Sequence, residues 1–419
     1  MRSRRDSLFW RFRLYGFLKN LRFFDPFLVL FFREAGFSFL DIGILYAIRE
    51  ICTNVFEIPT GVLADAFGRR KAMLASFCAY LASFAVFYAV PEFWAYALAM
   101  VLFALGETFR SGTHKAMILE HLRLNGMEDQ KVSYYGQTRA ASQLGSSVAA
   151  LIAAGLVFYV GGYRIVFLAS CVPYILGLAL FLTYPKQLDG ERRILTGSLA
   201  NRMLLHLRLT LGEFLSAARA PAVLRGLFSS AGFDAVFKSS KDYLQPILQA
   251  QALALPVLLG LTVDQRTALV VGILYFEIHL FTSFACSRAG SVERWLRSTS
   301  RAGNLTLLVG LAFLATAGLA FWGGVPGVAI AAFLLLYAVQ NLRRPILVGF
   351  LAEQFPHRTM ATGLSVESQV RTLLMAAMSP LLGFVADRLG VGMALLLLAS
   401  VGIGAFPLMR LRKSGIEST

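Results

Sequence analysis

Charged side chains stand inside the apolar runs of this sequence, where charge is costly: Asp25, Arg49, Glu50, Arg139, Lys241, Asp242, Glu277 and Arg371. A carboxylate in a poorly hydrated cavity exchanges its counter-ion for a proton readily, so Asp25, Glu50 and Glu277 are candidates for proton uptake and release. Arg49, Arg139, Lys241 and Arg371 suit an anionic or zwitterionic solute, planar guanidinium groups matching carboxylate or phosphate. Spacing gathers these residues into stripes. Asp234, Lys238, Lys241, Asp242 and Gln245 fall at helical intervals, as do Tyr46, Glu50, Asn54, Glu57 and Gly61. Tyr135, Arg139, Ser142, Gln143 and Ser146 make a third stripe, and Glu367 with Arg371 an i,i+4 pair. The implied chemistry is binding and proton exchange in a wet crevice rather than bond making. No nucleophile and base stand out, and GxxxxGK[ST] and HExxH are both missing, so neither a built-in nucleotide-driven pump nor a zinc protease is expected. No metal and no cofactor are expected either.

The elements that must position these groups are membrane-spanning helices. The chain has 419 residues, 57% of them hydrophobic, with 35 phenylalanines and a mean hydropathy of +0.63, more apolar surface than a soluble core of this size can hide. Runs long enough to cross ~30 Å of hydrocarbon lie near 14–33, 41–63, 72–90, 93–113, 134–160 and 163–184. Six more lie near 224–249, 266–287, 302–322, 326–350, 361–386 and 391–411. Turned toward lipid at ~3 kcal/mol each, the ionisable residues in these runs would together cost on the order of 50 kcal/mol. A fold is stabilised by only about 5–15 kcal/mol, so most of them must face one another or water.

The net charge of +16 is spread between the apolar runs and does not mark a nucleic-acid partner. Arg and Lys instead collect on one side, at the N-terminus, the 64–71 loop, the linker, the 288–301 loop and the tail, which makes both termini cytoplasmic. Glu107, Arg110, Arg343 and Arg344 lie toward that side and read as interface anchors, and His114 reads as solvated. His279, near Glu277, is a better proton relay. Cys52, Cys78, Cys171 and Cys286 stand singly in apolar runs and read as free thiols. Within the polar linker 185–222, Leu199, Met203, Leu207, Leu211, Phe214 and Leu215 recur at helical spacing, as for a helix on the membrane surface. Three pairs of segments repeat in order: FFDPFL with YLQPIL, LFALGETFR with LYAVQNLRR, and GLVFYVGG with GFVADRLG. They indicate an internal six-plus-six duplication.

GVLADAFGRRK (61–71) lies in the loop between the second and third runs. Gly61 permits close helix approach, Gly68 a tight turn, and Asp65 can hold the positive N-terminal end of another helix. Gly61, Asp65, Gly68, Arg69 and Arg70, with Leu63, Ala64 and Lys71, resemble the loop signature of the major facilitator superfamily. GFVADRLG (383–390) resembles the same motif, but lies on the opposite side and reads as a turn. The resemblance implies an all-α membrane fold of twelve transmembrane helices in two six-helix bundles related by a pseudo-twofold. These are residues 1–184 and 223–419, joined by 185–222. It further implies a secondary transporter of the bacterial inner membrane working by alternating access, with Asp65 and Arg69 helping to close the cytoplasmic side. The expected partners are a small-molecule solute, protons and the lipid bilayer, with no nucleic acid, and the chain is expected to be a monomer. The alternative is a membrane sensor or scaffold that keeps the fold without transporting.

Overall fold

Prolines and glycines decide where the helices break. The computed structural model describes residues 6–189, 208, 212, 221–256, 259–354 and 360–411, and all regular structure among them is helical. The first expected span is not continuous. It forms α1 (Ser7–Leu18), a 3-10 turn at Asp25–Phe27, and α2 (Leu28–Glu34). Pro26 has no N–H to continue a helix, and it disfavours helical backbone in the residue before it. The seventh span breaks likewise, into α9 (Pro221–Ser240), a 3-10 turn at Lys241–Tyr243, and α10 (Leu244–Ala254), which contains Pro246. Interruptions at matching places in two halves are the usual sign of a substrate pathway in transporter folds.

Between these lie α3 (Phe39–Phe67), α4 (Arg69–Ala89), α5 (Phe93–Arg110), α6 (Thr113–Leu124), α7 (Lys131–Val160) and α8 (Ile165–Leu182). After α10 follow α11 (Val263–Ser287), α12 (Ala289–Leu296), α13 (Thr299–Trp322), α14 (Pro326–Gln354), α15 (Met360–Gly404) and the short α16 (Phe406–Met409). Gly390, at φ 86°, divides α15 into the eleventh and twelfth expected spans. Among the described residues seven helical stretches are long and apolar enough to cross a membrane. Trp94, Tyr159 and Trp322 are 79%, 86% and 67% exposed at helix ends, where amphipathic rings settle at the bilayer interface. Cys52, Cys78 and Cys171 are free thiols. Of the expected surface helix at 199–215, Arg208 and Gly212 are described, both helical and exposed, and the rest lies outside the described residues.

The chain forms two compact units. One comprises Met1–Gly36, Ile48–His206 and Pro256–His279, the other Phe37–Ala47, Leu207–Leu255 and Leu280–Thr419. The division passes through α3 and α11, so each of these helices contributes one stretch to each unit. In the first unit a large aromatic core, including Phe24, Phe31, Phe84, Phe87 and Phe167, fills the space around the broken first span. There α1 crosses α7 closely: a Cβ added at Gly145 would lie 2.5 Å from the Phe17 carbonyl oxygen. Gly145→Val is therefore expected to cost about 1–3 kcal/mol through overpacking, read as a lower Tm in detergent; an unchanged Tm would show that α1 can move away freely.

Candidate functional site

In the first unit, α1, α4 and α5 bring polar groups together at the break in the first span. Arg22 Nη2 lies 3.2 Å from Glu107 Oε2, and the Tyr80 hydroxyl donates to the same oxygen at 2.5 Å. Arg110, one turn beyond Glu107 on α5, donates to its other oxygen, and through Nε to the Tyr80 hydroxyl at 3.3 Å. Two guanidinium groups thus share one carboxylate, leaving local positive charge, with Lys19 over the Tyr15 ring nearby. The Arg22 and Glu107 side chains remain 23% and 31% exposed. Asn20 ties the same break to α7 through Ser146 at 3.0 Å.

In the second unit, Asp234 of α9 is buried among cations. Lys238 Nζ lies 3.2 Å and Arg371 Nη1 3.4 Å from Asp234 Oδ2, while Gln340 of α14 donates to Oδ1. Arg371 also lies 3.7 Å from Glu367, which accepts from the Ser230 hydroxyl at 3.0 Å. At the 3-10 turn of the seventh span, Asp242 takes the Lys241 ammonium at 2.6 Å and the Tyr46 hydroxyl at 3.2 Å. The stripe read along the seventh span is thus paired in sign along its own helix, as i,i+4 spacing allows.

The two related octapeptides, GVLADAFG (61–68) and GFVADRLG (383–390), share both glycines, the alanine and the aspartate. They also share a backbone. Gly68 has φ 100° and ψ 143°, Gly390 φ 86° and ψ 161°, a region open to glycine and strained for other residues. Their contacts differ. Asp387 accepts the backbone N–H groups of Phe39 at 2.9 Å and Leu40 at 2.7 Å, capping α3. Gly383 lies against the Phe39 backbone and Gly43 against Ser379 and Pro380, so helix meets helix without a side chain between. At the other copy nothing lies within 4 Å of a Cβ added at Gly61, and Asp65 is exposed, with no hydrogen-bond or ion-pair partner among the described residues. Arg69 Nη1 reaches Glu120 at 3.8 Å and the Ala116 carbonyl at 3.4 Å, and Arg70 donates to the Phe181 and Leu182 carbonyls at the end of α8. Asp189 caps α4 through the Arg70 N–H at 2.8 Å.

The residues singled out in the sequence divide accordingly. Arg49 pairs with its neighbour Glu50, which is 8% exposed, at 2.8 Å. Lys241 joins Asp242, and Arg371 joins Asp234 and Glu367. Asp25, Arg139 and Glu277 are exposed. Four readings need correction. Glu107 and Arg110 are members of an internal network, not surface anchors, and the i,i+3 spacing of an acid and a base in GETFR was the signal. Arg343 is 2% exposed and donates to the Ser229 and Gly303 carbonyls and the Ser229 and Thr306 hydroxyls. Small residues on the facing helices open that path, and they are invisible as charge partners. His114 is buried, its ring 3.9 Å from that of Tyr15, rather than solvated. Nor is GFVADRLG merely a turn, since Asp387 caps α3.

Comparison with known proteins bears on the fold. A protein of Bacillus subtilis (strain 168) described as an uncharacterized MFS-type transporter, YxaM, is 32% identical over 90 residues; the match spans 22% of this chain and 23% of that protein's length. The crystal structure of the nucleoside transporter NupG superposes with a TM-score of 0.73 at 13% identity, over 98% of this chain and 100% of that one. The peptide transporter POT in complex with sulfate superposes with a TM-score of 0.69 at 15% identity, over 97% and 96%. The profile of the Major Facilitator Superfamily matches residues 20–372, and this multi-pass membrane protein belongs to that superfamily.

Proposed function

We propose that the protein is a secondary transporter that moves a small anionic or zwitterionic organic solute by alternating access, coupled to protons. The observation that carries this reading is the pair of matching octapeptides in opposite conditions, Asp387 engaged and Asp65 exposed. A carrier that opens to one side at a time needs a latch at each end, with one closed while the other is released. The shared Gly-Asp-Gly geometry supplies two such latches. In this reading Gly61, Asp65, Gly68, Arg69 and Arg70 form the cytoplasmic gate, and Asp387 forms the external one. Both termini are cytoplasmic, in a bacterial inner membrane, and the monomer is the working unit.

The excess of cations around Glu107 favours an anionic group on the solute, which would replace the carboxylate as partner of Arg22 and Arg110. NupG and POT are named for nucleosides and peptides, and both classes belong in the first panel of solutes. Proteoliposomes with an imposed pH gradient should accumulate at least one solute above the level of gradient-free vesicles. Vesicles inert across the panel would favour a sensor or scaffold.

Coupling is assigned to Asp25, Glu50 and Glu277. Glu50 leads, because it is buried and its close counter-charge among the described residues, Arg49, can be exchanged for a proton. Glu50→Gln is expected to abolish gradient-driven accumulation while leaving solute exchange across the membrane intact. If Asp25→Asn, Glu50→Gln and Glu277→Gln each leave gradient-driven flux unchanged, proton coupling through these groups is wrong.

A further inference from the structure

Where α12 hands over to α13, a cavity of 540 Å³ is lined by Arg297, Ser298, Ser300, Arg301, Asn304, Arg410 and Leu411. Its floor is fixed. The Asn304 side chain donates to the Leu411 carbonyl at 2.9 Å and accepts the Leu411 N–H at 2.8 Å, which pins the end of the described chain to α13. Leu411 is itself 3% exposed, packed with Ala302, Ile346, Leu347 and Phe350. The Asn304 amide is thus already satisfied, while the walls carry three guanidinium groups. Among the described residues no carboxylate lines the cavity, and its three guanidinium groups suit an anion from outside.

Position narrows the choice. The apolar stretch Thr299–Trp322 starts at this cavity, so the three arginines sit at the level where hydrocarbon gives way to headgroups. Trp295, two residues before Arg297, is 77% exposed, as an interfacial ring would be. We propose that this cavity binds the phosphate of an anionic phospholipid headgroup, held by Arg297, Arg301 and Arg410. The site is distinct from the polar clusters assigned to transport, and it does not depend on which solute is carried. Arginine suits it because its planar fork meets two phosphate oxygens at once.

The test uses the full-length protein in neutral detergent. The thermal unfolding midpoint is followed while short-chain phosphatidylglycerol, short-chain phosphatidylcholine, inorganic phosphate or glycerol phosphate is added. Wild type is compared with Arg297→Gln/Arg301→Gln/Arg410→Gln, and with a control that removes the same charge elsewhere, Lys71→Gln/Arg123→Gln/Lys131→Gln. Phosphatidylglycerol is expected to raise the midpoint of wild type and control alike, with at least tenfold weaker apparent affinity in the cavity variant and little effect from phosphatidylcholine. Equal stabilisation by glycerol phosphate or inorganic phosphate, lost in the cavity variant, would overturn the lipid assignment in favour of a soluble phosphate ester. Equal responses of cavity variant and control would overturn the site. If the triple variant does not fold, the single variant Arg301→Gln is expected to show the same direction of change, and an unchanged affinity there overturns the proposal.

Discussion

Arg22→Gln is expected to reduce uptake at low solute concentration about a hundredfold, while Glu107→Gln should lower the apparent KM and the maximal rate together. The opposite effects on binding follow from the shared carboxylate. Arg22 and Arg110 both face Glu107; in the proposed function it is their resting counter-ion, replaced when an anionic solute arrives. Removing Arg22 deletes one charge-assisted hydrogen bond to the solute, worth about 1.5–3 kcal/mol, and a factor of a hundred corresponds to about 2.7 kcal/mol. Removing the carboxylate leaves two guanidinium groups without their acid, so an anion binds more tightly and leaves more slowly. Initial rates in proteoliposomes across a range of solute concentrations distinguish the two patterns. A rise in KM for both variants would mean that Glu107 merely holds the helices together.

Asp387→Ala is expected to release the outer latch. Its carboxylate accepts two N–H groups of the first turn of α3 and lies at the positive end of the helix dipole. Such a cap contributes about 1–2 kcal/mol, and because the site is exposed the lower part of that range applies. Since 1.4 kcal/mol is a factor of ten in a population ratio, the balance between outer-closed and outer-open forms should shift by about five- to tenfold. Alkylation of a single cysteine introduced at Ser379, which packs against Gly43 in the closed arrangement, should accelerate by the same factor. An unchanged alkylation rate would show that the cap is decoration on a permanently closed end.

The helical architecture was legible because each span must satisfy its own backbone hydrogen bonds in lipid, which forces long apolar runs. Pro26 and Pro246 were visible as a repeat. That they break the first and seventh spans depends on neighbouring residues, since Pro173 sits inside an unbroken α8. Stripes of i,i+4 charges correctly joined Glu367 to Arg371 and Asp234 to Lys238. Pairs across helices were not legible. Arg22 with Glu107 is separated by 85 residues, and nothing in either segment announces the other. Arg343 and His114 failed for a related reason: a cation can be satisfied by carbonyls and hydroxyls, and an imidazole by aromatic packing, without any charge partner to read. The repeated Gly-Ala-Asp-Gly pattern was visible, while the difference between an engaged and a released copy is a property of conformation that no linear pattern records.

Two alternative latches, one at each end of the carrier, are the claim on which the transport reading stands. Spin labels at Phe37→Cys and Leu389→Cys, with Cys52, Cys78, Cys171 and Cys286 replaced by serine, report the outer latch directly through the distribution of distances between them. The unaltered latch should give mainly a short distance, Asp387→Ala should move weight to a longer one, and adding Asp65→Ala to Asp387→Ala should bring the short distance back. One distribution common to all three proteins, or a further lengthening when Asp65 is removed, would contradict the account.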